Sequence, residues 1–166
     1  MRNLNFKEVK EEDLKIIQKI YNFYIENTTA TFHINKLSIE DLRELIPINH
    51  SRYKSYLICE NDLIYGYCLI SQYKNRQAYN RTAEITIYLK SEYTQKGIGA
   101  RALKFLEEIA KKKKIRVLLS IISGENVSSI KLFERLRYDK CAHFKEVGEK
   151  FGRVIDVLAY QKILDK

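Results

Sequence analysis

Proline occurs once, at Pro47, and glycine six times in 166 residues. A chain so poor in both carries no proline-rich or glycine-rich linker and no low-complexity tract, so 1–166 reads as a single domain. Cysteine is also sparse. Cys59, Cys68 and Cys141 stand far apart inside apolar segments, without a CxxC pair. This excludes a disulfide framework and leaves them as packing residues, with no metal site expected. No stretch approaches the roughly 18 uninterrupted apolar residues of a membrane span. The opening Met1-Arg2-Asn3-Leu4-Asn5 lacks the apolar core of a secretory signal, so a cytoplasmic location without membrane contact is expected.

Charge is unbalanced instead: 30 Lys and Arg face 21 Asp and Glu, a formal net charge of +9. Such a surface attracts anions without saying which. Together with twelve tyrosines it permits a basic RNA-binding module. Yet the cations are scattered and match no RNA-binding motif, and the aromatics fall at core-facing periods, so no nucleic-acid partner is expected. The lysines at 111–114 fit the solvated C-terminal end of a helix, where cations suit the dipole.

Periodicity predicts a mixed α/β chain. Leu4 and Phe6 alternate in a first strand; Leu14, Ile17, Tyr21, Tyr24 and Ile25 then recur at helical spacing. Ser38 and Asp41 have capping-box spacing for a second, short helix closed by Pro47. Apolar segments on either side of Asn61-Asp62 predict an antiparallel hairpin. A polar loop over 73–81 leads to the strand Ala83-Glu84-Ile85-Thr86-Ile87-Tyr88-Leu89, with Glu84, Thr86 and Tyr88 on one face. Thr94-Gln95-Lys96-Gly97-Ile98-Gly99 then opens a helix whose inner face carries Ala102, Leu103, Leu106, Ile109 and Ala110. The apolar run 116–122 predicts a buried strand, parallel to the Glu84 strand across this helix. A helix over 128–136 and two strands, around 141–147 and 154–163, complete the chain.

Gly97 and Gly99 stand where a strand becomes a helix, so free backbone N–H groups and the helix dipole converge there on an anion. The same glycines would equally serve close packing. A dinucleotide-binding turn needs a third glycine at the position of Ala102, and a Walker loop needs Lys-Ser or Lys-Thr where Ala100-Arg101 stands. Both fail, leaving a pyrophosphate-binding turn of another kind.

Gln95-Lys96-Gly97-Ile98-Gly99-Ala100 resembles the coenzyme A loop of GNAT acetyltransferases. Thr28-Thr29-Ala30-Thr31-Phe32, Lys74-Asn75-Arg76-Gln77-Ala78-Tyr79, Thr82-Ala83-Glu84, Ser123-Gly124-Glu125-Asn126 and Val147-Gly148-Glu149-Lys150-Phe151-Gly152-Arg153 are similar, in order and spacing, to the phosphinothricin acetyltransferase family. The resemblance implies a GNAT fold, a mixed, mostly antiparallel sheet of about seven strands with about four helices on its faces. It implies an acetyl-CoA-dependent N-acetyltransferase acting on a small amino-acid-like amine of phosphinothricin, methionine sulfoximine or methionine sulfone type, and commonly a homodimer. Residue by residue, it implies pantetheine contacts at Ile87, Tyr88, Leu89 and Asn126, and pyrophosphate contacts from Gln95, Lys96, Gly97, Ile98, Gly99 and Ala100. It implies acceptor contacts from Phe32, Arg76, Tyr79 and, across the dimer, Lys150 with Phe151. Glu84 is where chemistry and resemblance meet. An amine attacks a thioester only when neutral, and a carboxylate on a partly buried strand can take its proton. As a purely structural residue, Glu84 would pair with Arg76 or Arg81.

This chain also departs from the family. Phe133 stands where His or Tyr is usual and cannot donate a proton to a departing thiolate; His143 is the candidate elsewhere. Arg137-Tyr138 replaces a common Gly-Phe, so that turn lacks glycine's freedom at positive φ. Thr94 replaces a basic or amide residue, and Val154 a tryptophan. Acetylation of a protein N-terminus or lysine on the same fold is the second reading; it needs an open groove.

Overall fold

The expected elements form in the computed structural model, which describes residues 3–165. In chain order they are β1 (Asn5–Glu8), α1 (Leu14–Asn27), α2 (Ile39–Leu45), β2 (Lys54–Glu60), β3 (Leu63–Gln72), β4 (Thr82–Leu89), α3 (Ile98–Lys112), β5 (Val117–Ser123), α4 (Val127–Arg135), β6 (Asp139–Lys150) and β7 (Arg153–Ile163). The seven strands make one sheet, ordered β1-β2-β3-β4-β5-β7-β6. All neighbours are antiparallel except β4 and β5. This is the α+β GNAT fold. Met1 and Arg2, on which the reading of the amino terminus partly rests, lie outside the described residues. Among the described residues, no helix is long and apolar enough to cross a membrane.

Strand alternation sorts the core into two layers. Along β3, Cys68 and Ile70 join Leu103 and Leu106 of α3 and Phe133 of α4. Tyr67 and Leu69 turn the other way, onto Ile17 and Ile25 of α1 and Leu42 of α2. α2 is short but well started: Ser38 Oγ accepts the Asp41 N–H at 3.1 Å and the Ser38 N–H donates back to Asp41 Oδ2 at 2.8 Å. The Ser38 N–H foremost, and the Ser38 hydroxyl, which donates to the same Oδ2 at 2.8 Å, hold the Asp41 carboxyl below the usual range.

One strand departs from its expected bounds, whereas the turn after α4 takes the positive φ that the Arg137-Tyr138 departure implied. β6 extends beyond 141–147 and bulges between Phe144 and Gly148. α4 ends in a Schellman motif around Arg137. The Tyr138 N–H donates to Phe133 O and the Arg137 N–H to Glu134 O, each at 3.0 Å. Arg137 sits at φ 62°, and the rings of Phe133 and Tyr138 meet edge to face at 5.0 Å. Phe133 is thus the apolar staple of a helix stop. An L residue in the left-handed region costs about 1–2 kcal/mol. Glycine's greater unfolded-state freedom offsets about 0.4–1 kcal/mol of any gain. Arg137→Gly is therefore expected to stabilise the fold by about 0.5–1 kcal/mol, raising Tm by about 1–4 °C in thermal denaturation. An unchanged or lower Tm would show that Arg137 adopts αL without strain.

Candidate active site

β4 and β5 pair over only three positions: Thr82 with Val117, Ala83 with Leu118 and Glu84 with Leu119. Beyond Glu84, β4 remains bonded to β3 through Leu89, and β5 remains bonded to β7 through Ser123. Their facing edges therefore part, leaving backbone N–H and C=O groups without a sheet partner. A cleft of about 1700 Å³ occupies the opening. Ile87, Tyr88 and Leu89 line it from β4; Ser120, Ile121 and Ile122 line it from β5.

At the mouth, the chain enters α3 through Gln95 at φ 57° and Gly97 at φ 77°. A Cβ built on Gly97 would meet nothing within 4 Å, so it faces open space. The first bond of the helix runs from Arg101 N–H to Gly97 O, which leaves the Ile98, Gly99 and Ala100 amides ahead of it free for an anion. Gln95, Gly97, Gly99 and Ala100 line the cleft. Lys96 and Ile98 do not. The Lys96 ammonium donates to Glu92 O at 2.6 Å, and Ile98 is buried in the core. Asn126 lines the opposite wall while its Oδ1 accepts the Ser129 N–H at 3.2 Å, so it caps α4 and borders the cleft at once. α4 adds Lys131 and Arg135 to the lining. Free amides, a helix dipole, two cations and an unpaired strand edge fit a pyrophosphate followed by an amide-bearing arm.

Glu84 lines the cleft at the last paired position before the strands part. Burial raises its pKa, and the charge of Lys74 opposes the rise in part. It forms no ion pair with Arg76 or Arg81 among the described residues. Those arginines are exposed, and neither Arg76 nor Tyr79 lines the cleft. Tyr79 packs edge to face on Tyr73 at 5.6 Å in the loop leading into β4.

Residues 28–33 cross the cleft as a strap tied at both ends. Thr29 Oγ1 donates to Glu125 Oε2 at 2.9 Å, and Arg153 grips the same carboxylate through Nε and an Nη, each at 2.9 Å. The Arg153 bond, first among several, lowers the Glu125 pKa. On the α1 side the Tyr21 hydroxyl lies 2.7 Å from Thr31 Oγ1 and 2.7 Å from His33 Nδ1. The Lys150 ammonium donates to Thr31 O at 2.9 Å, with the residue only 4% exposed. Burial lowers its pKa. Lys150 is therefore part of the strap's anchorage within its own chain and does not line the cleft. Phe32 does line it, its ring seated on Gly148. A Cβ at Gly148 would lie 2.5 Å from Phe32 Cε1. Gly148→Ala is expected to tilt the ring and raise the acceptor KM roughly tenfold while leaving the acetyl-CoA KM unchanged, as steady-state kinetics would report. An unchanged acceptor KM would remove Phe32 from the pocket wall.

Tyr21, Tyr24, Thr29, Thr31, His33 and Glu125 line the cleft without standing among the expected site residues. The tyrosines read only as core positions of α1. Their hydroxyls on an otherwise apolar stripe were the available signal, and Tyr24 spends its own on Leu89 O at 2.5 Å.

A parted pair of parallel strands leading to a phosphate-ready helix terminus defines a protein that binds an acyl-carrying nucleotide thioester. The chain belongs to the GNAT acetyltransferase family, whose Acetyltransferase (GNAT) domain matches residues 6–159, and it is an acetyl-CoA-dependent N-acetyltransferase. It is 29% identical over 159 residues to a phosphinothricin N-acetyltransferase of Streptomyces coelicolor, covering 93% of this chain and 92% of that one. It is 26% identical over 155 residues to an L-methionine sulfoximine/L-methionine sulfone acetyltransferase of Pseudomonas aeruginosa, covering 92% and 90%. The crystal structure of a phosphinothricin acetyltransferase from Sinorhizobium meliloti in complex with acetyl-CoA superposes with a TM-score of 0.91 at 28% identity, covering 99% and 89%.

Proposed function

We propose that this enzyme acetylates the primary amine of a small amino-acid-like acceptor of the phosphinothricin, methionine sulfoximine or methionine sulfone class, by direct attack in a ternary complex. The observation that carries this reading is the placement of Glu84, a largely desolvated carboxylate with no ion pair among the described residues, where β4 and β5 separate. The names of the relatives above supply the acceptor class.

When bound, acetyl-CoA supplies an acetyl group activated as a thioester. The backbone of Ile87, Tyr88 and Leu89 and the Asn126 amide would hold the pantetheine arm, and the turn from Gln95 to Ala100 would hold the pyrophosphate. Glu84 takes a proton from the acceptor's ammonium, freeing the lone pair that attacks the acetyl carbonyl, while strand N–H groups bind the carbonyl oxygen. Phe32 walls the acceptor pocket. Arg76, on the exposed loop leading into β4, offers the acceptor's acidic group a fork suited to a carboxylate or phosphinate, with Tyr79 on the same loop, whereas Lys150 is held on the Thr31 carbonyl. In a cytoplasmic homodimer the β6–β7 hairpin is the natural contact, since Phe144, Val147, Phe151 and Val154 are each about half exposed there.

Release of coenzyme A thiol is the direct measurement, across amino acids, their sulfone, sulfoximine and phosphinate analogues, polyamines and short peptides. Turnover confined to the amino-acid analogues is expected. Turnover of peptides alone would move the acceptor to protein termini.

A further inference from the structure

We propose that the tip of the β6–β7 hairpin sets the acceptor pocket from outside it: Lys150 and Arg153 are positioning residues that clamp the strap, and with it Phe32, in the place the acceptor requires. This rests on the acetyl-transfer reading above. Residues 28–33 belong to no helix or strand, so no ladder of backbone bonds fixes them and their place over the cleft depends on side-chain ties. Thr29, Thr31 and Phe32 line the cleft. A displaced strap therefore alters the wall an acceptor meets and leaves the α3 turn as it was.

Three ties come from one face of one hairpin end. β6 and β7 meet through Phe151 and Gly152, at φ 53° and 71°, the paired positive values of a tight two-residue hairpin turn. Lys150 pairs directly with Arg153 across that turn, and Gly148 with Ile155 one step back. Direct partners in an antiparallel ladder, and residues two apart along a strand, point to one side, so Gly148, Lys150 and Arg153 share a face. Each bears on the strap. The Phe32 ring rests on Gly148. The Lys150 ammonium donates to Thr31 O at 2.9 Å and stands 5.1 Å from the centre of the Phe151 ring. Arg153 reaches the strap through Glu125, closing its fork on both oxygens of the carboxylate that accepts Thr29 Oγ1 at 2.9 Å. Glu125 itself stands on a turn without slack: the Gly124 N–H donates to Asp156 O at 2.8 Å, and a Cβ on Gly124 would lie 3.1 Å from Asp156 Cβ. Two cations directly opposite each other repel, yet here each is spent on the strap, and neither lines the cleft.

Removing one tie at a time separates positioning from general support of the fold. Lys150→Met keeps the length of the side chain and loses the bond to Thr31 O; Thr29→Val keeps the volume and loses the bond to Glu125. Each is expected to raise the acceptor KM roughly tenfold, with kcat little changed and acetyl-CoA affinity by calorimetry unaltered. Thr29→Ser, which keeps the hydroxyl, should hold the acceptor KM near the wild-type value. An acceptor KM unmoved in both Lys150→Met and Thr29→Val overturns the clamp, as does an acetyl-CoA affinity that falls as far as the acceptor's, or Thr29→Ser behaving like Thr29→Val. A second readout needs no acceptor. Hydrogen exchange at the amides of 29–33 should quicken in Lys150→Met and Thr29→Val, while exchange along β3 stays slow. Strap exchange as slow as in the wild type in both variants refutes the clamp even if every acceptor fails. Failure of every acceptor with quickened strap exchange supports the clamp and refutes the acceptor reading instead.

Discussion

Glu84→Gln is expected to lower kcat/KM for the amine by about 10²–10⁴-fold, the range for loss of a general base, while acetyl-CoA binds as before. Glutamine keeps the volume and a polar end at the branch point of β4 and β5, so the effect falls on proton transfer. The pH dependence has a fixed sign. Burial raises the Glu84 pKa, and the base works only when ionised. Activity should therefore fall as pH drops through a value above the usual carboxylate range, and the limb should vanish in Glu84→Gln. Stability runs the other way. The folded state binds this proton more tightly than the unfolded chain does, so between the two pKa values stability declines as pH rises. Ionised Glu84 thus costs stability at neutral pH, and the variant should have a Tm at pH 7 no lower than wild type, with the difference shrinking toward acid pH. Near-wild-type turnover would assign the base elsewhere. A collapsed Tm would make Glu84 a structural residue.

That trade explains what could be read from the letters. β4, the glycine turn and α3 were legible because hydrophobic period switches from two to 3.6 at Gly97 and Gly99, a local signal. The Asn61-Asp62 hairpin and the Ser38 cap are likewise local. What escaped depends on partners distant in sequence. That β4 and β5 pair for only three residues is set by the strands on their outer sides, not by their own composition. Thr29 meets Glu125 across 96 positions and Lys150 meets Thr31 across 119, so an ammonium expected to serve the acceptor proves to be bonded to the strap. Arg76 and Tyr79 carry no local signal of direction, and the structure leaves them on the exposed loop before β4.

Scarcity of glycine sharpens one more expectation: Gly66→Ala should be among the most damaging single-methyl changes in the chain. Gly66 lies inside the sheet, opposite Ile58 of β2 and Leu89 of β4, where the β2–β3 register slips between Ile58 and Cys59. A Cβ there would fall within the van der Waals shell of the Tyr88 carbonyl oxygen and 2.7 Å from Leu89 Cα. Those are backbone atoms, fixed by the β3–β4 ladder and by the Lys90 N–H on Tyr65 O at 2.8 Å. At Gly148, by contrast, the obstacle is a ring that can turn. Overpacking of this kind costs about 1–3 kcal/mol, equivalent to a Tm lower by roughly 2–12 °C. Because the displaced carbonyl belongs to the β4 segment that borders the cleft, acetyl-CoA affinity should fall as well, measurable by calorimetry on the folded variant below its Tm. Loss of both quantities places the β3–β4 contact at the root of the coenzyme cleft. A lower Tm with unaltered affinity would mean that β4 moves as a unit and the opening between β4 and β5 is held chiefly from the β5 side.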